Sequence, residues 1–180
     1  MAMTPDNTVF VLVDVQGNLA QAMHGRAPLF RSLQILVRGV RALRIPVMWL
    51  EQIPEKLGPT IPELREHLDG LEPVPKRSFS AWGEPAFVSA LSGAGRRQVL
   101  LAGIEAHVCV YQTARDLESN GYAVEIVADA VSSRTAENRR MGLQKARDAG
   151  ARLTSVETCL FELLGTAEHP AFRTILGLVK

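Results

Sequence analysis

The 180-residue sequence has few cysteines, few aromatic residues and almost no net charge. Its two cysteines, Cys109 and Cys159, are too few for a disulfide framework and do not form the closely spaced pairs that bind zinc. A net charge of +1 does not indicate nucleic-acid or membrane-surface binding as the main role. The apolar run at residues 9–13 ends on Asp14 and is too short for a signal peptide or a membrane span. We therefore expect a cytoplasmic, reduced protein with no nucleic-acid or membrane partner.

What the sequence does contain is typical of an ordered globular protein. Hydrophobic residues make up 47% and charged residues 22% of the chain, and we predict a single domain over residues 1–180. Short apolar runs without polar alternation, which indicate strands buried on both faces, alternate with helical patterns. We predict an α/β fold of three layers, in which a mostly parallel, Rossmann-like sheet of six strands lies between helices. The clearest strands are residues 9–13, 46–50, 98–103 and 122–128.

Sites in parallel sheets form at the carboxyl ends of the strands, which directs attention to two residues. Asp14 directly follows the first strand, where a buried carboxylate is costly unless it is used; a helix cap or a solvated turn is the alternative. Cys109 lies where a strand end leads into a helix, and the backbone N–H groups there favour a thiolate and can hold an oxyanion. The alternative for a cysteine is a buried structural role, which we assign to Cys159.

A third candidate, Lys76, follows a proline-rich, irregular segment at residues 51–76, in which we expect one helical turn near residues 63–67. Alone, a lysine is usually a surface residue. The three candidates together resemble the isochorismatase-like cysteine hydrolase family, which includes nicotinamidase, N-carbamoylsarcosine amidase and isochorismatase. The resemblance extends from residue 8 to about residue 161 and looks closest to the isochorismatase domain-containing proteins. It is carried by Val-Asp14-Val-Gln16, Lys76-Arg-Ser-Phe79 and Gly103-Ile-Glu-Ala-His-Val-Cys109-Val.

The resemblance implies a mechanism and a role for each candidate. Cys109 would attack a carbonyl carbon and form a thioester, with Asp14 as the general base and acid. Lys76 would favour the thiolate and anchor Asp14 by its charge. Relatives carry a cis peptide bond that maps to Ile104–Glu105, and the N–H groups of Glu105 and Cys109 would form the oxyanion hole. The implied activity is cleavage of an amide bond in a small molecule.

The sequence also departs from this family at the metal site. Nicotinamidases carry an Asp-x-His pair after the second strand, whereas this chain has Glu51, Gln52 and Ile53 there. We therefore predict no metal and no cofactor, which argues against nicotinamide as the substrate. Isochorismatase itself lacks the cysteine, so Cys109 argues against its vinyl-ether chemistry. Candidates for an apolar substrate pocket, which could equally be core or interface residues, are Leu19, Gln52, Phe79 and Trp82.

Other interpretations of the chain stay open. One is a weakly catalytic binding or interaction protein that keeps the fold; unlike the enzyme, it does not need a cysteine with a lowered pKa. Another is a flavodoxin-like nucleotide binder, which the single glycine at residues 15–18 disfavours because a phosphate loop needs several. Since relatives form symmetric assemblies, we also expect a homo-oligomer, a dimer or larger, with an apolar contact around residues 79–87.

Overall fold

The structure, a computed structural model, describes residues 3–180 and is built on one sheet of six parallel strands. The strands are β1 (Thr8–Val13), β2 (Val47–Gln52), β3 (Val74–Lys76), β4 (Gln98–Ile104), β5 (Ala123–Ser132) and β6 (Arg152–Thr154). Their order across the sheet is β3-β2-β1-β4-β5-β6, and every pairing is parallel. The predicted α/β fold is confirmed.

Helices cover both faces of this sheet. They are α1 (Gly17–Gln21), α2 (Arg26–Ala42), α3 (Pro54–Leu57), α4 (Pro62–Arg65), α5 (Pro85–Gly93), α6 (Tyr111–Ser119), α7 (Ala136–Asp148), α8 (Val156–Leu164) and α9 (Phe172–Val179). One hydrophobic cluster joins the sheet to α2, α4, α8 and α9, and a second joins its other face to α5, α6 and α7. The three layers follow from strands that must bury both faces.

The central strand β1 shows how the sequence produces this layering. All six of its residues are fully buried, and their side chains alternate between the two clusters. Phe10 and Leu12 face the α2 side, whereas Val9, Val11 and Val13 face the α6 side. An uninterrupted apolar run is therefore required here, because neither face of the strand meets water.

The segment at residues 51–76 is more regular than the sequence predicts. Strand β2 extends to Gln52, the segment contains the short helices α3 and α4, and it ends in strand β3. Only three residues form β3, which lies at the edge of the sheet, where Pro75 needs no partner for its missing N–H. The segment therefore delivers Lys76 directly to the carboxyl end of the sheet.

The strand order reverses between β1 and β4, and ligand sites in open α/β sheets form at this kind of switch point. The two strands approach closely there, because Val13 pairs with Gly103. A Cβ atom added to Gly103 would lie 2.1 Å from the Val13 carbonyl oxygen, and the φ of 120° also favours glycine. The absence of a side chain at Gly103 therefore allows the segments that follow β1 and β4 to lie close together.

Candidate active site

An ion pair between Asp14 and Lys76 lies at this switch point. Asp14 directly follows β1, and Lys76 is the last residue of β3. The Lys76 Nζ atom is 2.7 Å from Asp14 Oδ2, and the two side chains are 0% and 2% exposed. Strand pairing places the lysine, because Lys76 lies opposite Gln52 at the end of β2. The sequence predicts both residues as site residues, and the structure brings them together.

Lys76 is surrounded by acceptors that satisfy its buried ammonium group. Besides Asp14, its Nζ atom donates to Gln52 Oε1 at 2.5 Å, to the Phe79 carbonyl at 3.1 Å and to the Ser78 carbonyl at 3.2 Å. A buried charge needs such partners, since its desolvation is otherwise very costly. The Lys76 side chain is therefore held in one orientation.

Cys109 reaches the same ion pair from the other half of the sheet. It lies in a π-helical turn, Ala106–Val110, that follows β4 and leads into α6. Its side chain is 7% exposed and interacts with both Asp14 and Lys76. Three residues that are far apart in the sequence thus form one cluster.

The electrostatics of the cluster favour a neutral thiol. Burial, and then the charge of Asp14, raise the pKa of Cys109 to about 12, although Lys76 acts in the opposite direction. Burial also raises the pKa of Asp14, against the lowering effects of Lys76 and Cys109. The sequence-based expectation of a resting thiolate at Cys109 is therefore wrong. The desolvation of the buried sulfur outweighs the nearby Lys76 cation and the N–H groups of the turn.

Glu105 opens the turn that carries Cys109. The peptide bond between Ile104 and Glu105 is cis. The Glu105 carbonyl accepts hydrogen bonds from the N–H groups of Val108 and Val110. Its carboxylate oxygen Oε1 accepts from the backbone N–H of Arg134 at 3.2 Å and from its Nε at 3.1 Å. Nothing in the sequence indicates this contact.

Helix α7 supports the same turn through a glycine. A Cβ atom added to Gly142 would lie 2.4 Å from the Ala106 carbonyl oxygen and 2.5 Å from the His107 nitrogen. The backbone of α7 therefore packs directly on the backbone of the turn. Sequence reasoning missed Gly142, because a single glycine inside a helical pattern has no sequence context that points to a distant contact.

A second loop, at residues 53–61, is attached to the carboxyl end of the sheet by Gln16. The Gln16 amide donates to the carbonyls of Gln52 and Gly58, at 3.1 and 2.7 Å, and accepts from the Gln52 N–H at 2.6 Å. Sequence reasoning assigned no role to Gln16, although its position two residues after Asp14 is a polar interruption in a buried segment. We call this loop the strap.

The residues at the position of the nicotinamidase metal ligands form hydrogen bonds within the protein here. Glu51 Oε1 accepts from the Thr60 N–H at 2.7 Å and from Thr60 Oγ1 at 2.8 Å, while Gln52 bonds to Lys76. Within residues 3–180, no group of three His, Cys, Asp or Glu side chains could hold a metal ion. The expectation that the protein uses no metal stays a prediction.

The predicted pocket residues do not form one group. The Leu19 side chain packs against the core cluster on the α2 side, and Phe79 is 56% exposed. Trp82 packs edge-on against Tyr122 and lines a cavity of about 280 Å³ with Arg96 and Arg97, and no triad residue lines this cavity. Arg97 and Tyr122 directly precede strands and so lie at the amino edge of the sheet, opposite the triad. The assignment of Trp82 to the substrate pocket is therefore corrected.

Comparisons with known proteins agree with the observed fold. The model of the isochorismatase domain family matches residues 8–158. Isochorismatase domain-containing protein 2 of Bos taurus is 37% identical over 177 residues, which cover 98% of this chain and 84% of that protein. The secreted isochorismatase effector Isc1 of Phytophthora sojae is 36% identical, with 98% of this chain and 86% of the effector covered.

Two solved structures resemble the whole chain. The MAR1 ribonuclease of Caenorhabditis elegans is 34% identical, with a TM-score of 0.93 over 99% of this chain and 92% of its own. YcaC of Escherichia coli, described as an octameric hydrolase of unknown specificity, is 21% identical, with a TM-score of 0.89 over 98% and 95% of the two chains. Family membership supports a hydrolase-type activity. On the family match and the identity to its curated relatives, the chain belongs to the isochorismatase family.

Proposed function

We propose that this protein is a cysteine hydrolase that cleaves an amide bond of a small molecule through a thioester on Cys109. The observation that carries the proposal is the buried ion pair of Asp14 and Lys76, with which the Cys109 thiol interacts electrostatically. A nucleophile next to a base, which is itself held by a third group, is the arrangement that activates a weak nucleophile. The proposal thus rests on three side chains that the fold brings to one point.

The mechanism begins from a neutral thiol. As the Cys109 sulfur attacks the carbonyl carbon, its proton passes to the Asp14 carboxylate, so the base acts during the attack. Asp14 then gives this proton to the leaving nitrogen as the carbon–nitrogen bond breaks. Asp14 next takes a proton from a water molecule, whose oxygen attacks the thioester carbon. The carbon–sulfur bond then breaks, the acid product leaves, and Asp14 returns the proton to the Cys109 sulfur. The raised pKa of Cys109 is compatible with these steps, because they require no resting thiolate.

Two other groups complete the proposed mechanism. The Lys76 ammonium, 2.7 Å from Asp14 Oδ2, favours the ionised carboxylate and so keeps the base ready. The N–H groups of Glu105 and Cys109 are proposed to bind the oxyanion, and a lost donor in such a site typically costs about 3–4 kcal/mol of transition-state stabilisation. No metal or cofactor takes part in these steps.

The test is turnover of a panel of small amides and esters by the intact protein. Cys109→Ala is expected to lose nearly all activity because no thioester can form. Cys159→Ser is the matched control: its side chain is fully buried on α8, so the change costs stability but not turnover. An active Cys109→Ala protein would refute the proposal, and so would a folded but inactive Cys159→Ser protein.

The panel also separates the proposal from other functions. Cleavage of RNA, with no amide or ester turned over, would favour the activity named for the C. elegans relative. No turnover of any substrate, together with specific binding of a ligand or protein, would favour the alternative of a binding protein that keeps the fold. Either result would contradict the amidase proposal.

A further inference from the structure

Gln52 uses every polar group it has. Its backbone N–H and carbonyl are both bonded to the Gln16 amide. In its side chain, Oε1 accepts from Lys76 Nζ at 2.5 Å and Nε2 donates to the Arg77 carbonyl at 2.8 Å. The residue is 6% exposed. An amide whose two ends are both engaged inside the protein has little left to offer a substrate, so the sequence-based assignment of Gln52 to the pocket needs revision.

The backbone and the side chain of Gln52 contact different parts of the protein. The backbone leads through Gln16 to the strap, since Gln16 also donates to the Gly58 carbonyl. Of the three triad residues, the side chain bonds only to Lys76, and its Oε1 is the acceptor nearest to the Lys76 ammonium. The Arg77 carbonyl fixes which end of the amide faces Lys76, because only the NH₂ end can donate to it.

A neutral acceptor suits this position for an electrostatic reason. A second carboxylate beside Lys76 would compete with Asp14 for the ammonium and raise the pKa of nearby acids and thiols. An apolar side chain would leave the ammonium with one acceptor fewer and with freedom to turn. An amide holds the lysine without neutralising it.

We propose that Gln52 is a positioning residue, which aims the Lys76 ammonium at Asp14 and Cys109 through its side-chain oxygen. This inference rests on the proposed function, since it assigns the role through the same triad. Gln52 acts on the chemistry only by way of Lys76. The strap, which Gln52 holds through its backbone, is a separate structural connection.

Alkylation of Cys109 by iodoacetamide, followed by peptide mass spectrometry, tests this role without a known substrate. Lys76 lowers the pKa of the thiol, so a poorly aimed lysine leaves less thiolate and a slower reaction. Gln52→Met is expected to slow alkylation at pH 8 about tenfold, which corresponds to one pKa unit. A merely structural role predicts the opposite sign, because a loosened fold exposes Cys109 and speeds its alkylation.

Two further variants keep the result interpretable. Gln16→Met is the matched control: it removes a buried amide and its strap contacts but leaves the acceptors of Lys76, so it should lower the melting temperature without slowing alkylation. Gln52→Glu keeps the size of the side chain and adds a competing charge. Gln52→Glu is expected to slow alkylation at least as much as Gln52→Met. It replaces Gln52→Met in the test if that variant does not fold.

A double-mutant cycle with Lys76 decides whether the effect passes through the lysine. In a Lys76→Met background, adding Gln52→Met should change the alkylation rate less than twofold, since residues that act as a unit are not additive. An equal or faster rate in the Gln52 single variants, or a full tenfold effect without Lys76, would overturn the positioning role. Turnover that survives Cys109→Ala would instead overturn the proposed function, so the two failures are distinguishable.

Discussion

At the scale of single residues, the Cys109 thiol has an unusual expected pH dependence. Because its pKa is raised to about 12, the thiolate fraction should increase about tenfold per pH unit throughout the working range. We expect the rate of iodoacetamide alkylation to rise without levelling between pH 7 and 10 in the folded protein. A rate that levels near pH 8 to 9, as for an ordinary cysteine, would contradict the electrostatics described above.

Asp14 should have opposite effects on alkylation and on turnover. Its charge raises the pKa of Cys109, so Asp14→Asn should give more thiolate and an alkylation rate several-fold higher at pH 8. The same variant should lose nearly all turnover of an amide substrate, because neither the thiol nor the leaving group has its proton-transfer partner.

The alkylation and turnover of Asp14→Asn are measured on the same protein, whose folding must be checked. Circular dichroism at the assay temperature provides this check, since Lys76 loses its ionic partner in this variant. Should a folded Asp14→Asn protein alkylate more slowly than the wild type, the charge of Asp14 would not contribute to the raised pKa of Cys109.

At the scale of secondary-structure elements, the contact between α7 and the turn that carries Cys109 should be intolerant of any side chain. Gly142→Ala would place a methyl group against the Ala106 backbone, and we expect a loss of about 2 kcal/mol or more in the free energy of unfolding. Activity should fall as well, because the turn must move to make room. Urea denaturation at constant pH measures the first effect.

Gly177→Ala is the control for that change. Gly177 is also helical, in α9, but a Cβ atom there would meet no atom within 4 Å. The substitution should leave stability unchanged or raise it by about 0.5–1 kcal/mol, because alanine loses less conformational freedom than glycine in a helix. A similar loss of stability in both variants would contradict the packing explanation, because helix propensity alone predicts a gain for both changes.

The sequence predicts those elements best that bury both faces. Strands β1, β2 and β4 are found close to their predicted positions, because nearly uninterrupted apolar runs leave few alternatives. Strand β5 begins within one residue of its predicted start but continues to Ser132. Strands β3 and β6 have only three residues each and lie at the two edges of the sheet, where exposure permits polar residues and proline. Edge strands therefore lack the pattern that identifies central ones.

The candidate site divides along a similar line. The sequence motifs indicate Asp14, Lys76 and Cys109, since each is tied to a strand end and to the resemblance. The roles of Gln16, Gln52 and Gly142 depend on contacts between residues that are 24 or more positions apart, such as that between Gln52 and Lys76. A single sequence carries no record of such pairs, so only the folded chain reveals them.

At the scale of the whole molecule, we expect a homo-oligomer in solution. Most soluble oligomers are closed assemblies of identical subunits, and this chain exposes 56% of Phe79 at the carboxyl end of the sheet. Phe87, at the other end of the predicted contact region, is fully buried in the core and cannot take part. Multi-angle light scattering at micromolar concentration checks the expectation, which a monomer would contradict.

The cytoplasmic location predicted from the sequence stays a prediction. Within residues 3–180, no helix is both long and apolar enough to cross a bilayer. One relative is described as a secreted effector, so family membership does not decide the compartment. Fractionation of the source cells, with detection of the intact chain, tests the location.

The position of β1 at the centre of the sheet also has a consequence for synthesis on the ribosome. Its neighbours are β2 and β4, and β4 begins at residue 98, long after β1 has been translated. At translation rates of roughly 5–20 residues per second, this apolar strand waits about 5–20 s for its second partner. During that interval the nascent chain presents an unpaired edge of its most hydrophobic segment, and chaperones that bind such segments have their best opportunity there.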